Sequence, residues 1–175
     1  REVEEVLKEV DELVRKSNED LKDIVRRTRD LLRKDKERND EVVRRSEELI
    51  RRVEELVRRG RDKRELTKRL KEILDEDREA VKESKKLNEE ILTEDREAVR
   101  ELEKKNRKIL RDVERLPVDE EALERIKRKI DENEKEIREL HKESEKRIRD
   151  TLRATDKLHK DTRRRVEEVK EEIKK

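Results

Sequence analysis

The sequence predicts an all-α fold, a long antiparallel up-down-up three-helix bundle with nearly straight helices. Three observations carry this. One Gly and one Pro in 175 residues, among abundant Glu, Lys, Arg, Leu and Ala, leave helix as the only regular structure with support. The sparse apolar residues recur at helical spacing in three blocks, closed by the glycine, the proline and the C-terminus. Lastly, Ile73-Leu74-Asp75-Glu76-Asp77-Arg78-Glu79-Ala80-Val81 returns, with Thr for one Asp, as Ile91-Leu92-Thr93-Glu94-Asp95-Arg96-Glu97-Ala98-Val99, an offset of 18 residues. Eighteen residues complete five turns at about 3.6 residues per turn, so each side chain regains its angular position without supercoiling.

The first helix spans about residues 2–59. Its apolar positions run Val3, Val6, Leu7, Val10, Leu13, Val14, then Leu21, Ile24, Val25, Leu31, Leu32, then Val42, Val43, Leu49, Ile50, each set being the last one moved by 18. They form a stripe roughly 120° wide, enough to face two or three partners. The other faces are charged, with acid-first i, i+4 pairs at Glu4–Lys8, Glu12–Lys16, Glu47–Arg51 and Glu54–Arg58. A loop at 60–61 follows, where Gly60 is placed to take a left-handed conformation and Asp62 with Glu65 has the spacing of an N-cap and capping box.

The second helix, about 62–116, repeats the columns Leu66 and Leu102, Ile73, Ile91 and Ile109, and Leu74, Leu92 and Leu110. Pro117 disfavours helix at Leu116, and after a loop at 117–118 Asp119 caps a third helix over about 119–174. Its columns are Ala122, Leu140 and Leu158; Ile130, Ile148 and Val166; and Ile126 with Ser144 and Thr162. Helices of this length reach about 85 Å, and short loops force antiparallel neighbours. The expectation is a single rod-shaped domain over 1–175, without a linker.

Composition sets limits on function. Charged residues make up 62% of the chain, which alone suggests disorder, but 55 basic and 53 acidic residues nearly cancel and the apolar residues are periodic. No cysteine is present, so disulfides, thiolate ligands and thiol nucleophiles are excluded. No apolar run approaches the roughly 20 residues of a membrane span or forms the h-region of a signal peptide. A soluble chain with no targeting segment, produced by recombinant cytoplasmic expression, is expected; its natural localisation is unknown. The chain starts at Arg1 without methionine, from which removal of an N-terminal piece or tag is expected.

The informative residues are polar ones in stripe columns: Ser17, Thr28, Asp35, Asn39 and Ser46 on the first helix; Asp77, Ser84, Asn88, Asp95 and Asn106 on the second; Asn133, His141, Ser144, Thr151, Thr155, His159 and Thr162 on the third. Residues level across an antiparallel hairpin share an index sum, about 121 for the first turn and about 235 for the second, and these residues sort accordingly. Four layers result: Ser17, Asn106, Asn133; Thr28, Asp95, His141, Ser144; Asp35, Asn39, Ser84, Asn88, Thr151, Thr155; and Ser46, Asp77, His159, Thr162. The fourth is the second moved by 18 residues. Each draws donors and acceptors from all three helices, as a satisfied buried network requires.

Eighteen-residue columns, one Gly loop, one Pro-Val-Asp loop, Glu/Lys/Arg surfaces, the absence of Phe, Trp, Tyr, Met and Cys, and repeated polar layers resemble de novo designed helical bundles with modular buried hydrogen-bond networks. That resemblance covers the whole chain. It implies a stable scaffold, or one component of a designed oligomer or switch, with networks that set helix pairing.

Other functions are weighed on the same residues. Asp95, His141 and Ser144, like Asp77, His159 and Thr162, have the composition of a hydrolase triad, but a mid-helix site offers no free backbone N–H for an oxyanion hole. No catalytic residue and no cofactor is therefore assigned. The two histidines lie about 27 Å apart along one helix and cannot share a metal ion. Protonating them could make the layers pH-sensitive, with a sign the sequence leaves open. Specific nucleic-acid binding is not expected, because the Arg runs alternate with acidic ones. The leading expectation is a self-contained monomer needing no partner. The alternative is a three-helix component that accepts a further helix or self-associates.

Overall fold

A computed structural model describes residues 2–175, and Arg1, with the expectation of a removed N-terminal segment, lies outside them. The described chain forms three α-helices, α1 (Glu2–Arg58), α2 (Lys63–Glu114) and α3 (Glu120–Lys174), and contains no strand among the described residues. The predicted three-helix bundle is the observed fold. No described helix is long and apolar enough to cross a membrane.

Both turns follow local chemistry. Gly60 has φ of 71°, donates its N–H to Val57 O at 3.1 Å, and is followed by Arg61 N–H to Leu56 O at 3.2 Å. These paired bonds satisfy carbonyls that the end of α1 leaves open, and glycine alone takes this φ without a Cβ penalty. Asp62 then caps α2, its Oδ1 accepting from Arg64 N–H at 3.1 Å. The other half of the expected capping box does not form: Glu65 accepts from Arg69 at 3.0 Å, an i, i+4 ion pair that competes for the same carboxylate. Asp119 caps α3 by accepting from Ala122 N–H at 2.7 Å.

The chain divides into two compact units. Unit one joins α1 up to Asp30 with Glu90–Arg147. One of its apolar clusters holds Val10, Val113, Ile126 and Ile130, and the other holds Leu21, Val99, Leu102 and Ile137. Unit two joins Leu31–Glu89 with Ile148–Lys175 around Ile50, Val53, Leu66, Leu70, Ile73, Leu74, Val166, Val169 and Ile173.

On the surface, Arg27–Glu94 at 3.4 Å, Arg38–Glu83 at 3.7 Å and Arg45–Glu76 at 3.1 Å link α1 to α2 at one shared index sum. Such exposed pairs contribute about 0–1 kcal/mol each and report alignment more than they stabilise it. Of the acid-first pairs expected along the first helix, Glu54 turns instead to Arg165 of α3 at 3.5 Å. Pairs of that order are found at Glu55–Arg59 and Glu103–Arg107.

Candidate functional site

Burial alone would make the stripe polar residues costly. Ser17, Thr28, Asp35, Asn39, Ser46, Asp77, Ser84, Asn88, Asp95, Asn106, Asn133, Ser144, Thr155, His159 and Thr162 are all buried, while His141 and Thr151 are half-buried. A buried polar group without a partner costs about 1–3 kcal/mol, so the partners decide what each layer does.

In unit one, Asn133 of α3 collects the first layer. Its Oδ1 accepts from Asn106 Nδ2 of α2 at 2.9 Å and, more weakly, from Ser17 Oγ of α1 at 3.5 Å. Its Nδ2 donates to Asn18 Oδ1 at 2.6 Å. The layer lies between the two apolar clusters of that unit along every helix. Asn18 was not among the sequence candidates because it sits beside the stripe. Asparagine is otherwise confined to layer positions in this chain, at 39, 88, 106 and 133, and that scarcity was the available signal.

The second layer centres on the Asp95 carboxylate. Thr28 Oγ1 of α1 donates to it at 2.9 and 3.1 Å, and Ser144 Oγ of α3 donates at 3.0 Å. No Lys or Arg hydrogen-bonds to it among the described residues. Burial raises the Asp95 carboxyl above its ordinary value, opposed by the Thr28 and Ser144 hydrogen bonds and by the nearby His141. His141, expected inside this layer, makes no hydrogen bond to Asp95. Its Nε2 lies 2.9 Å from Glu145 Oε1 one turn along α3, with 20% of the side chain exposed, and its Nδ1 is buried without a partner.

In unit two the two expected layers are joined. Ser84 Oγ of α2 donates to Asp35 Oδ2 at 2.6 Å, and Arg38 donates to Asp35 Oδ1 at 2.7 Å. Asn88 Nδ2 turns back to the Ser84 carbonyl at 2.7 Å and leaves Oδ1 unpartnered. Asn39 does not pair within the Asp35 set: its Nδ2 donates to the Asp35 carbonyl at 2.8 Å, and its Oδ1 faces His159 Nε2 at 2.8 Å. The other ring nitrogen, Nδ1, contacts Asp77 Oδ1. His159 therefore bridges α1 and α2 from α3. Thr162 Oγ1 donates at 3.4 Å to Leu158 O of its own helix, and Asp77 Oδ2 is left without a partner, so the fourth layer does not copy the second.

The sequence repeat explains this divergence. Eighteen residues before Asn39 stands Leu21, which offers His141 no amide acceptor, and eighteen after Glu145 stands Arg163, which offers His159 no carboxylate. Each imidazole goes where its own surroundings supply an acceptor.

Neither cluster forms a hydrolase triad. Ser144 donates directly to Asp95 with no imidazole between them, and His159 reaches an amide oxygen rather than a hydroxyl. Among the described residues no group of three His, Cys, Asp or Glu is placed to hold a metal ion.

The chain matches no family model and no curated protein. Among solved structures it is similar to one described as a computationally designed three helix bundle, at 21% identity and a TM-score of 0.50. The alignment covers 99% of this chain and 83% of the other. At that identity the likeness establishes the three-helix fold.

Proposed function

We propose that this chain is a de novo designed structural scaffold with no natural biochemical activity, whose buried polar layers specify how the helices pair. The carrying observation is the first layer, where Asn133 takes bonds from α1 and α2 together between two apolar clusters. Apolar columns alone tolerate sliding, because Leu, Ile and Val recur at helical spacing and are nearly interchangeable in shape. A slip of one turn, about 5.4 Å, separates every amide and hydroxyl pair and leaves the polar atoms buried and unpaired. The layers thus act against misalignment more than for stability. The designed origin of the similar three-helix structure and the near-perfect 18-residue repeat support the same reading.

The test replaces the first layer with apolar residues, Ser17→Ala, Asn106→Leu and Asn133→Leu together. The reading expects helicity to persist and the denaturation midpoint to hold or rise, while the amide NMR spectrum broadens or doubles as alternative registers appear. A variant with one sharp spectrum and unchanged interhelical contacts would remove the specificity role.

One observation favours a second reading, in which the scaffold accepts an amphipathic helix from another chain. Leu13 and Leu49, two repeats apart on α1, remain 43% and 38% exposed. Leu13 borders a cavity of about 400 Å³ with Leu102, Asn106 and Ile109 in unit one, and Leu49 one of about 250 Å³ with Val53 and Ile73 in unit two. Light scattering across a hundredfold concentration range, alone and with an added Leu-rich helical peptide, separates the readings. A constant 21.6 kDa mass supports the self-contained scaffold.

A further inference from the structure

We infer that the His159 layer is a proton-binding site: unit two holds His159 as a doubly protonated imidazolium, and the pairing of its three helices depends on that proton. The bonding pattern requires it. Nδ1 faces a carboxylate oxygen of Asp77, and Nε2 lies 2.8 Å from Asn39 Oδ1. The orientation of Asn39 is fixed at its other end, where Nδ2 donates to the Asp35 carbonyl at 2.8 Å. Reversing the amide would press two carbonyl oxygens together. Both ring nitrogens therefore meet acceptors, and a neutral imidazole has only one N–H to give. The extra proton resides on the ring because imidazole is a far stronger base than a carboxylate.

Charge balance points the same way. The fully buried carboxylates of unit two are Asp35 and Asp77. Asp35 is answered by Arg38, which reaches in from the surface and also lies 3.7 Å from Glu83. Asp77 has no Lys or Arg partner among the described residues, so the imidazolium is its counter-charge. The groups bonded to the ring are Asp77 from α2 and Asn39 from α1, and Asn39 is bonded in turn to the Asp35 backbone carbonyl.

The consequence has a definite sign. Loss of that proton undoes the bonding pattern. One ring nitrogen then sets its lone pair against an acceptor, and Asp77 is left buried without a counter-charge. Stability therefore falls when alkali removes that proton. The protonation state is measured directly, so it can fail without touching the scaffold reading, and the converse also holds.

The experiment uses the full chain with His141→Gln, so that His159 is the one remaining imidazole, labelled with nitrogen-15 and followed by ring-nitrogen NMR from pH 6 to 9. At pH 7.5 a free imidazole is about nine-tenths neutral. Imidazolium signals from both nitrogens at that pH, with a denaturation midpoint that drops towards pH 9, are the expected result. A neutral ring at pH 7.5 overturns the assignment. In the same background Asn39→Leu, which copies Leu21 of the other repeat, is expected to weaken proton retention at least tenfold. Unchanged retention in that variant would overturn the part assigned to Asn39, and the parent spectrum decides the proposal even if the variant fails to fold.

Discussion

Replacing Thr28 with valine removes a hydroxyl and keeps the shape of the side chain. That hydroxyl is buried and lies 2.9 and 3.1 Å from the two oxygens of Asp95, so it supplies one shared hydrogen bond to a charged acceptor. Such a bond contributes about 1.5–3 kcal/mol. The methyl that replaces the hydroxyl recovers up to about 0.8 kcal/mol by burial, and Thr and Val have similar helix propensity. The net expectation for Thr28→Val is a loss of about 1–2 kcal/mol, roughly a fivefold to thirtyfold fall in the folding constant. Most of that loss comes from the Asp95 carboxylate, which keeps only the Ser144 hydroxyl as a donor. If so, removing the whole group with Thr28→Val, Asp95→Leu and Ser144→Ala should return stability to the parent level or above, because no buried acceptor is orphaned. Guanidinium denaturation at pH 7.5, with amide exchange following unit one separately, measures both variants. A Thr28→Val midpoint equal to the parent's, or a triple variant weaker than the single one, would refute the reasoning.

Asp95→Asn tests the electrostatics of the same layer. Burial raises the Asp95 carboxyl, so its folded-state proton affinity exceeds the unfolded one. Its contribution is therefore full below the ordinary carboxyl value of 3.8 and is lost as pH rises through the raised folded one. Asp95→Asn should then be at least as stable as the parent at pH 7, with the difference shrinking on acidification in paired denaturation curves. Gly60→Ala meets no atom within 4 Å of the new Cβ, so only the left-handed backbone penalises it. A cost of about 1 kcal/mol is expected, and a calorimetric melting temperature checks it. Ile137→Ala empties a fully buried site between Leu21, Val99 and Leu102 and should cost about 2–5 kcal/mol by chemical denaturation.

How far the sequence reached is clear from particular residues. Gly60, Asp62 and Asp119 were legible as turn and caps because their chemistry is local: a glycine past a helix end and an aspartate before one each satisfy backbone groups within four residues. The apolar columns were legible because a helix fixes angular position from spacing alone, and the polar positions of the stripe could be read the same way. The partners of those polar residues were not. Asn39 was assigned by height to Asp35 and Ser84, yet its amide oxygen is taken by His159, and Asn18 entered from beside the stripe. Height along a bundle is a coarse coordinate, whereas a hydrogen bond needs atoms within about 3.5 Å and a suitable angle.

The two histidines mark the boundary most plainly. Their shared column, one repeat apart, is a property of helical periodicity, and the sequence alone determined it. That His159 turns inward to Asp77 and Asn39, while His141 turns along α3 to Glu145, was decided only by tertiary structure. The residues that settle it, Leu21 against Asn39, come from another helix, and the energy of a polar side chain depends on which acceptors that helix brings within reach.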